Sequence, residues 1–279
     1  MAPFFAEDPL EGGNLVPVER PGAQSWHELS LTDPDLAAWC AARWLGAWRR
    51  LEPLTDDFSS TRLSLHRLAE HVLAPARYAA CGKIGLRYTR DGFGTPYFGP
   101  DRQVRVAEGA LVVEAGDHPV RQTHPTSLRD AAHFAGVDLS VPPSAYAPTT
   151  RSDPDAPLAI NPDAALALAD WFGFCTSAIE QLRSESPDAG RTQLWPEHFD
   201  VAVDLGDEAR GGRANFGGSP GDEAHPLPYL YVGPWVARSG PFWNEPFGAS
   251  LSYDVLLASD DQRESALSFL RRGLRLLAG

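Results

Sequence analysis

Prolines and glycines, 25 of each in 279 residues, cut this chain into short segments, so few long elements fit and turns are frequent. Between the breaks, apolar residues recur with two periods. A recurrence of three to four marks a helix, and strict alternation marks a half-buried strand. The mixture implies an α+β fold: an antiparallel sheet with helices packed on one side.

Helical spacing comes first. Asp33-Pro34 supplies an N-cap and a first-turn proline, and Leu36, Trp39, Cys40, Trp44, Trp48 and Leu51 follow on one stripe up to Pro53. A second helix is expected over Ser60–Leu73, closed by Pro75, with Leu65, Leu68 and Val72 inward. His66 and His71 lie on it five residues apart, on different sides of an α-helix, which argues against a shared metal. A short helix follows over Ser127–Phe134. Asn161-Pro162 opens another, with Leu168, Phe172, Cys175, Ile179 and Leu182 on its stripe and an end near Glu185. Ser259 with Gln262 reads as the capping box of a last helix that turns Ala266, Phe269, Leu270, Leu274 and Leu277 inward.

Alternation marks the strands. Ile84, Leu86 and Tyr88 alternate with Gly85, Arg87 and Thr89 before a turn at Asp91-Gly92. Val104 and Val106 alternate with Gln103 and Arg105, Glu108-Gly109 turns the chain, and Ala110–Glu114 returns as a hairpin. Thr192–Leu205, Pro228–Val232 and Gly248–Leu257 are further strands, with a glycine-rich loop over 206–226. The resulting organisation is an irregular arm over 1–30, an α+β half over 31–137, a proline-rich linker over 138–160 and a second α+β half over 161–279. Helix, strands, helix recurs in both halves, the order a duplication would leave.

Four segments carry a resemblance: Leu63-Ser64-Leu65-His66, the strand from Gly85 to Arg90 with Gly92 after it, Phe199-Asp200-Val201-Ala202-Val203, and Pro228-Tyr229-Leu230-Tyr231. In order and spacing, over roughly residues 60 to 275, they resemble the bacterial family called domain of unknown function 5996. Pro196-Glu197-His198 stands where that family has a small Gly-Ser pair. The resemblance implies a shared fold and carries no activity with it.

Charge narrows the partners. With 37 acidic against 24 basic residues the net charge is −13, which repels phosphate backbones and anionic lipid, so neither nucleic acid nor a membrane is an expected partner. No window nears the roughly 18 apolar residues of a membrane span. Met1–Gly13, with Glu7 and Asp8, lacks the pattern of a secretory signal. Cys40, Cys81 and Cys175, an odd number in apolar or small-residue settings, fit buried free thiols and a cytoplasmic location.

The clearest two-faced run is Trp195–Leu205, where Phe199, Val201 and Val203 alternate with His198, Asp200, Ala202 and Asp204. On a strand His198 and Asp200 would stand roughly 6 to 7 Å apart, within reach of one metal ion or one water, and are the candidate catalytic pair. His225, in Asp222-Glu223-Ala224-His225, is the candidate third ligand of a divalent metal. Those four letters spell a helicase box, but no phosphate-binding loop accompanies them. Ser252 shares the polar side of the 248–257 strand, Arg87 and Arg105 give the first half a basic face, and Trp235 and Trp243 belong to a late aromatic cluster. These five are the candidate substrate contacts for a small molecule. The alternatives are a binder without catalysis and a structural or partner-binding protein whose alternating charges merely solvate a sheet face.

Overall fold

The computed structural model describes residues 50–278 except 100, 141–143, 152, 187 and 188, and within the first 49 only Phe4–Phe5, Asn14–Val16, Gln24–Ser25, Leu31, Pro34 and Asp35. In that arm β1 (Phe4–Phe5), β2 (Asn14–Val16) and β3 (Gln24–Ser25) pair antiparallel. Trp39, Trp44 and Trp48 of the expected first helix, and Cys40, lie outside the described residues. The chain divides into two compact units, residues 53–172 with 193–200, and residues 1–52, 173–192 and 201–279.

In the 53–172 unit, α1 (Phe58–Leu68) runs through one π-helical turn, Ala69–Leu73, into α2 (Ala74–Cys81), which Gly82 ends at φ +68°. Pro75 therefore does not close the helix. In an α-helix its ring would clash with the carbonyl four residues back, and the wider π turn just before it relieves that clash. A five-stranded meander follows, β4 (Arg87–Thr89), β5 (Gly92–Gly94), β6 (Arg102–Ala107), β7 (Ala110–Ala115) and β8 (Arg121–Thr123). Positive φ at Glu108 and Gly109 makes the expected turn type I′, whose twist suits a hairpin. Next comes α3 (Leu128–Ala135), capped by Ser127, which accepts from the Asp130 amide. Phe93, Phe172 and Phe199 meet edge to face with centroids 5.1 to 5.9 Å apart and fill the core.

The described residues of 144–161 are held against the helical run. They form a strap bonded along α1 and the π turn: Asn161 and Ala159 amides donate to Thr61 and Ser64 hydroxyls, and Arg67 donates to the carbonyls of Arg151 and Asp153. Pro148, Pro154 and Pro157 stiffen its described part, so less entropy is lost when it is held.

Asn161 then caps α4 (Pro162–Ser184) by accepting from the amides of Asp163 and Ala164. A second sheet has the order β13-β12-β11-β10-β9. Its members are β9 (Gln193–Trp195), β10 (Asp200–Leu205), β11 (Ala214–Ser219), β12 (Tyr229–Pro234) and β13 (Ala249–Ser252). Two rows form its core face, Val201, Gly218, Leu230, Leu251 and Val203, Phe216, Val232, Ala249. Cys175 of α4 lies against Gly218, and Gly273 of α6 (Gln262–Ala278) lies against Val232, so both helices cover the same face. Strand β11 was hidden in the glycine-rich run. Its glycines are steric, since a Cβ on Gly218 would overlap the Cys175 sulfur.

Two expected strands are shorter than their alternation suggested. Thr192–Leu205 breaks over 196–199, because Pro196 has no ladder donor and the Phe199 amide turns back to the Trp195 carbonyl at 2.7 Å. Gly248–Leu257 ends at Ser252, and α5 (Tyr253–Leu257) follows it. Val201, Val203 and Tyr253 are buried, whereas Val255 is 53% exposed because the helix turns it outward. Cys175 is buried and Cys81 is exposed at the end of α2, neither of them in a disulfide. Among the described residues no helix is long and apolar enough to cross a membrane.

The Gly218 contact makes a prediction. Gly218→Ala should lower stability by about 1 to 3 kcal/mol in urea unfolding, and Cys175→Ala should recover part of the loss. Equal losses in both backgrounds would show that the sulfur is not what the methyl meets.

Candidate functional site

Two polar clusters in the 53–172 unit stand out, and one has its hydrogen bonds already taken up. Glu70, in the π turn, is completely buried. Its carboxyl oxygens accept from the amides of Thr149 and Thr150, at 2.6 and 2.8 Å, and from both threonine hydroxyls. His66 Nε2 lies 3.7 Å from one oxygen and His71 Nε2 3.9 Å from the other. The two imidazoles thus reach one carboxyl, contrary to the expectation of opposite sides, because a wider π turn brings residues five apart closer to one face. His66 Nε2 also donates to the Pro196 carbonyl at 2.9 Å, and its ring stacks on Phe199, 4.8 Å away and parallel within 2°.

The same turn creates a second demand. In π geometry the Glu70 carbonyl would accept from residue 75, and Pro75 has no amide hydrogen. Tyr146, on the strap, donates its hydroxyl to that carbonyl at 2.5 Å. Burial, then the nearby charges of Glu70 and Glu197, push the Tyr146 hydroxyl pKa well up, so it remains a donor. Burial holds both His66 and His71 below the ordinary histidine value of 6.5, with Glu70 opposing the shift. This cluster is a clamp: its carboxyl is satisfied from the strap and its tyrosine from the helix.

The expected catalytic pair does not form on one strand face. His198 sits exposed in the turn that interrupts the strand, while Asp200 begins β10 and is buried. Phe199 between them has φ +53°, which breaks the alternation that would have aligned them. His225 belongs to the other unit, where Asp222 and Glu245 flank it at 3.7 and 3.6 Å. Among the described residues no group of three or more His, Cys, Asp or Glu side chains can hold a metal ion, so the His198, Asp200, His225 ligand set is not assembled. Ser252 is exposed at the start of α5. Trp235 stacks under Arg213 and donates to Asn215, and Trp243 packs edge-on against Phe242 over α6, so the two tryptophans serve separate contacts.

The basic face of the first sheet does contain a pocket. Arg87, Gly94, Arg105, Val112 and Gln122 are successive partners across all five strands. The next row holds Gly92, Ala107 and Ala110. Small side chains flanked by long ones leave a hollow of about 370 Å³, with Arg105, Gln122 and His124 around it, Val112 in its floor, and the turn residues Arg90 and Glu108 at its end. That volume is at the lower limit of small-molecule pockets. Arg87 is in the row but is buried and does not line the hollow.

Arg105 is held in place and still has donors to give. Its Nε donates to Glu114 at 3.0 Å, and Tyr97 donates to the other Glu114 oxygen at 2.6 Å. Burial alone would raise the Glu114 pKa, but the bonds from Tyr97 and Arg105 hold it below the usual range. The two terminal nitrogens of Arg105 have no partner among the described residues, and its side chain is 22% exposed. A Cβ on Gly94 would overlap the Arg105 Cβ and Cα, so the glycine lets the two strands come close where Arg105 stands. Sequence alternation located Arg105. The cross-strand glycine and the gap between Arg105 and Gln122 required the register.

Compared with known proteins, the chain matches no family model, no curated protein and no solved structure.

Two predictions follow from the clamp. Tyr146→Phe should destabilise by about 1 to 3 kcal/mol by leaving a buried carbonyl unpaired, and the loss should shrink in a Pro75→Ala background, where an amide hydrogen is available. A cycle of four urea midpoints measures it. Because His66 and His71 are held below 6.5, the native state binds fewer protons than the unfolded chain, so stability is full above pH 6.5 and falls as pH drops below it. Urea midpoints between about pH 7.5 and 5, above the main carboxylate range, should decline, and less so in His66→Gln.

Proposed function

We propose that this protein binds a small molecule carrying a carboxylate or phosphate group in the hollow on the first sheet, with Arg105 as the anchor. The observation that carries the reading is the Arg105 guanidinium, which lines the hollow and is held through Nε by Glu114, with no hydrogen bond to its terminal nitrogens among the described residues. That fork matches the two oxygens of a carboxylate or phosphate. Gln122 lies two strands away, about 10 Å at the strand spacing, and suits a second polar group of the ligand. Val112, Ala107 and Ala110 suit an apolar body between them.

A site built on paired strands is more rigid than one on loops, which favours selective binding. The reading keeps a small molecule as the partner and moves the site from His198 and Asp200 to Arg105. It also keeps the cytoplasmic location, supported by the free thiols of Cys81 and Cys175.

Titration calorimetry with acetate and inorganic phosphate on the full chain tests this. Arg105→Ala should weaken binding about 10- to 100-fold and Arg105→Lys less, because an ammonium cannot make the paired contact. Gly94→Ala should weaken it too by displacing the Arg105 stem. Absence of binding up to about 10 mM, or equal affinity in Arg105→Ala, would overturn the assignment.

A further inference from the structure

The 201–279 part of the other unit carries a cluster of rings on the face of the second sheet opposite its core. Tyr229 and Tyr231 are two residues apart on β12 and so project together. Phe247, in the loop before β13, lies on both, with centroids 6.0 Å from Tyr229 and 6.4 Å from Tyr231, and the two tyrosines are 6.3 Å apart. The His225 ring is 5.0 Å from Tyr229 and 6.1 Å from Phe247. Phe247 is 39% exposed and the tyrosines are partly exposed, so the group opens to solvent.

The rings are backed by carboxylates. Glu245 and Asp222 flank His225, and the Glu245 carboxylate is fixed by the Ser250 hydroxyl at 2.9 Å. Tyr231 lies flat across its strand partner Gly217, where any Cβ would overlap the ring. The position is therefore held by backbone and not by a flexible neighbour.

We propose that Tyr229, Tyr231 and Phe247, with His225, Glu245 and Asp222 at one side, bind a quaternary ammonium group. Three centroids in a near-equilateral triangle of this size are equidistant from its centre. A cation seated above that centre, up to about 4.8 Å from the plane, is within about 6 Å of all three rings, the range of a cation–π contact. The adjacent carboxylates and the overall charge of −13 favour a cation over a neutral apolar ligand. A methylated ammonium fits better than a lysine-like one, because it is weakly hydrated and gives up little on leaving water for a half-open aromatic surface. This site is independent of the anion site, which lies in the 53–172 unit.

The test is titration of the full chain with choline and, in parallel, with 3,3-dimethyl-1-butanol, its uncharged analogue of the same shape. Choline should bind and the neutral analogue should bind at least about ten-fold more weakly. Phe247→Leu keeps an apolar side chain but removes a π face and should cost choline about ten-fold, while Phe247→Trp should retain binding. Glu245→Gln should weaken choline alone, and Arg105→Ala should leave it unchanged. Thermal unfolding of each variant establishes that it is folded. Equal binding of the two probes, absence of choline binding up to about 10 mM, or indifference to Phe247→Leu would overturn the proposal.

Discussion

Pro75 sits inside a helix and has no amide hydrogen, and much of the first unit is organised around that deficit. The helix widens into a π turn just before it, which leaves the Glu70 carbonyl without a helical donor and brings Glu70, His66 and His71 together. A proline-rich strap then answers both requirements, with Tyr146 for the carbonyl and the Thr149-Thr150 pair for the carboxyl. A buried carboxyl left unpaired would cost several kcal/mol, so strap and helix are mutually dependent. Phe199 joins the same assembly. A bulky residue at positive φ is disfavoured, and here its ring is stacked on His66 and packed between Phe93 and Phe172, burial that offsets the strain.

Both sites lie on a sheet face opposite its apolar core, and both rely on the same device. Each key residue has a glycine as its direct partner on the next strand: a Cβ on Gly94 would overlap the Arg105 Cβ and Cα, and one on Gly217 would overlap the Tyr231 ring. A glycine in a strand weakens it by losing a side chain to pack. In exchange the strands approach closely at Gly94, and the Tyr231 ring lies flat over Gly217. The arginine then presents nitrogens to a hollow, and the tyrosine completes a triangle of rings. Their chemistry differs, one carrying Arg105 and the other aromatic rings with carboxylates.

Local chemistry explains why parts of this were legible. Alternation at Val104 and Val106 and the Glu108-Gly109 turn placed the hairpin and put Arg105 on its polar side, because strand period and turn type are set by neighbours in sequence. Asn161 and Ser127 capped their helices for the same reason. Where strand alternation misleads, a turn, a helix start or a contact outside the strand decides. Val255 follows a strand pattern, yet the helix starting after Ser252 turns it outward, and His198 and Asp200 were parted by a turn whose backbone is held by the core contacts of Phe199.

The sequence by itself determined the α+β class, most helices and strands, and the sidedness of each sheet, since these follow from residue period and from caps and turns spanning a few positions. Tertiary structure alone decided that the segment carrying Tyr146, Thr149 and Thr150 is a strap, that a glycine-rich run is a central strand, and which polar residues meet. Each of these depends on partners tens of residues away, such as Cys175 on Gly218 or Thr149 on Glu70, and no local pattern encodes the steric or hydrogen-bonding need that the partner fulfils.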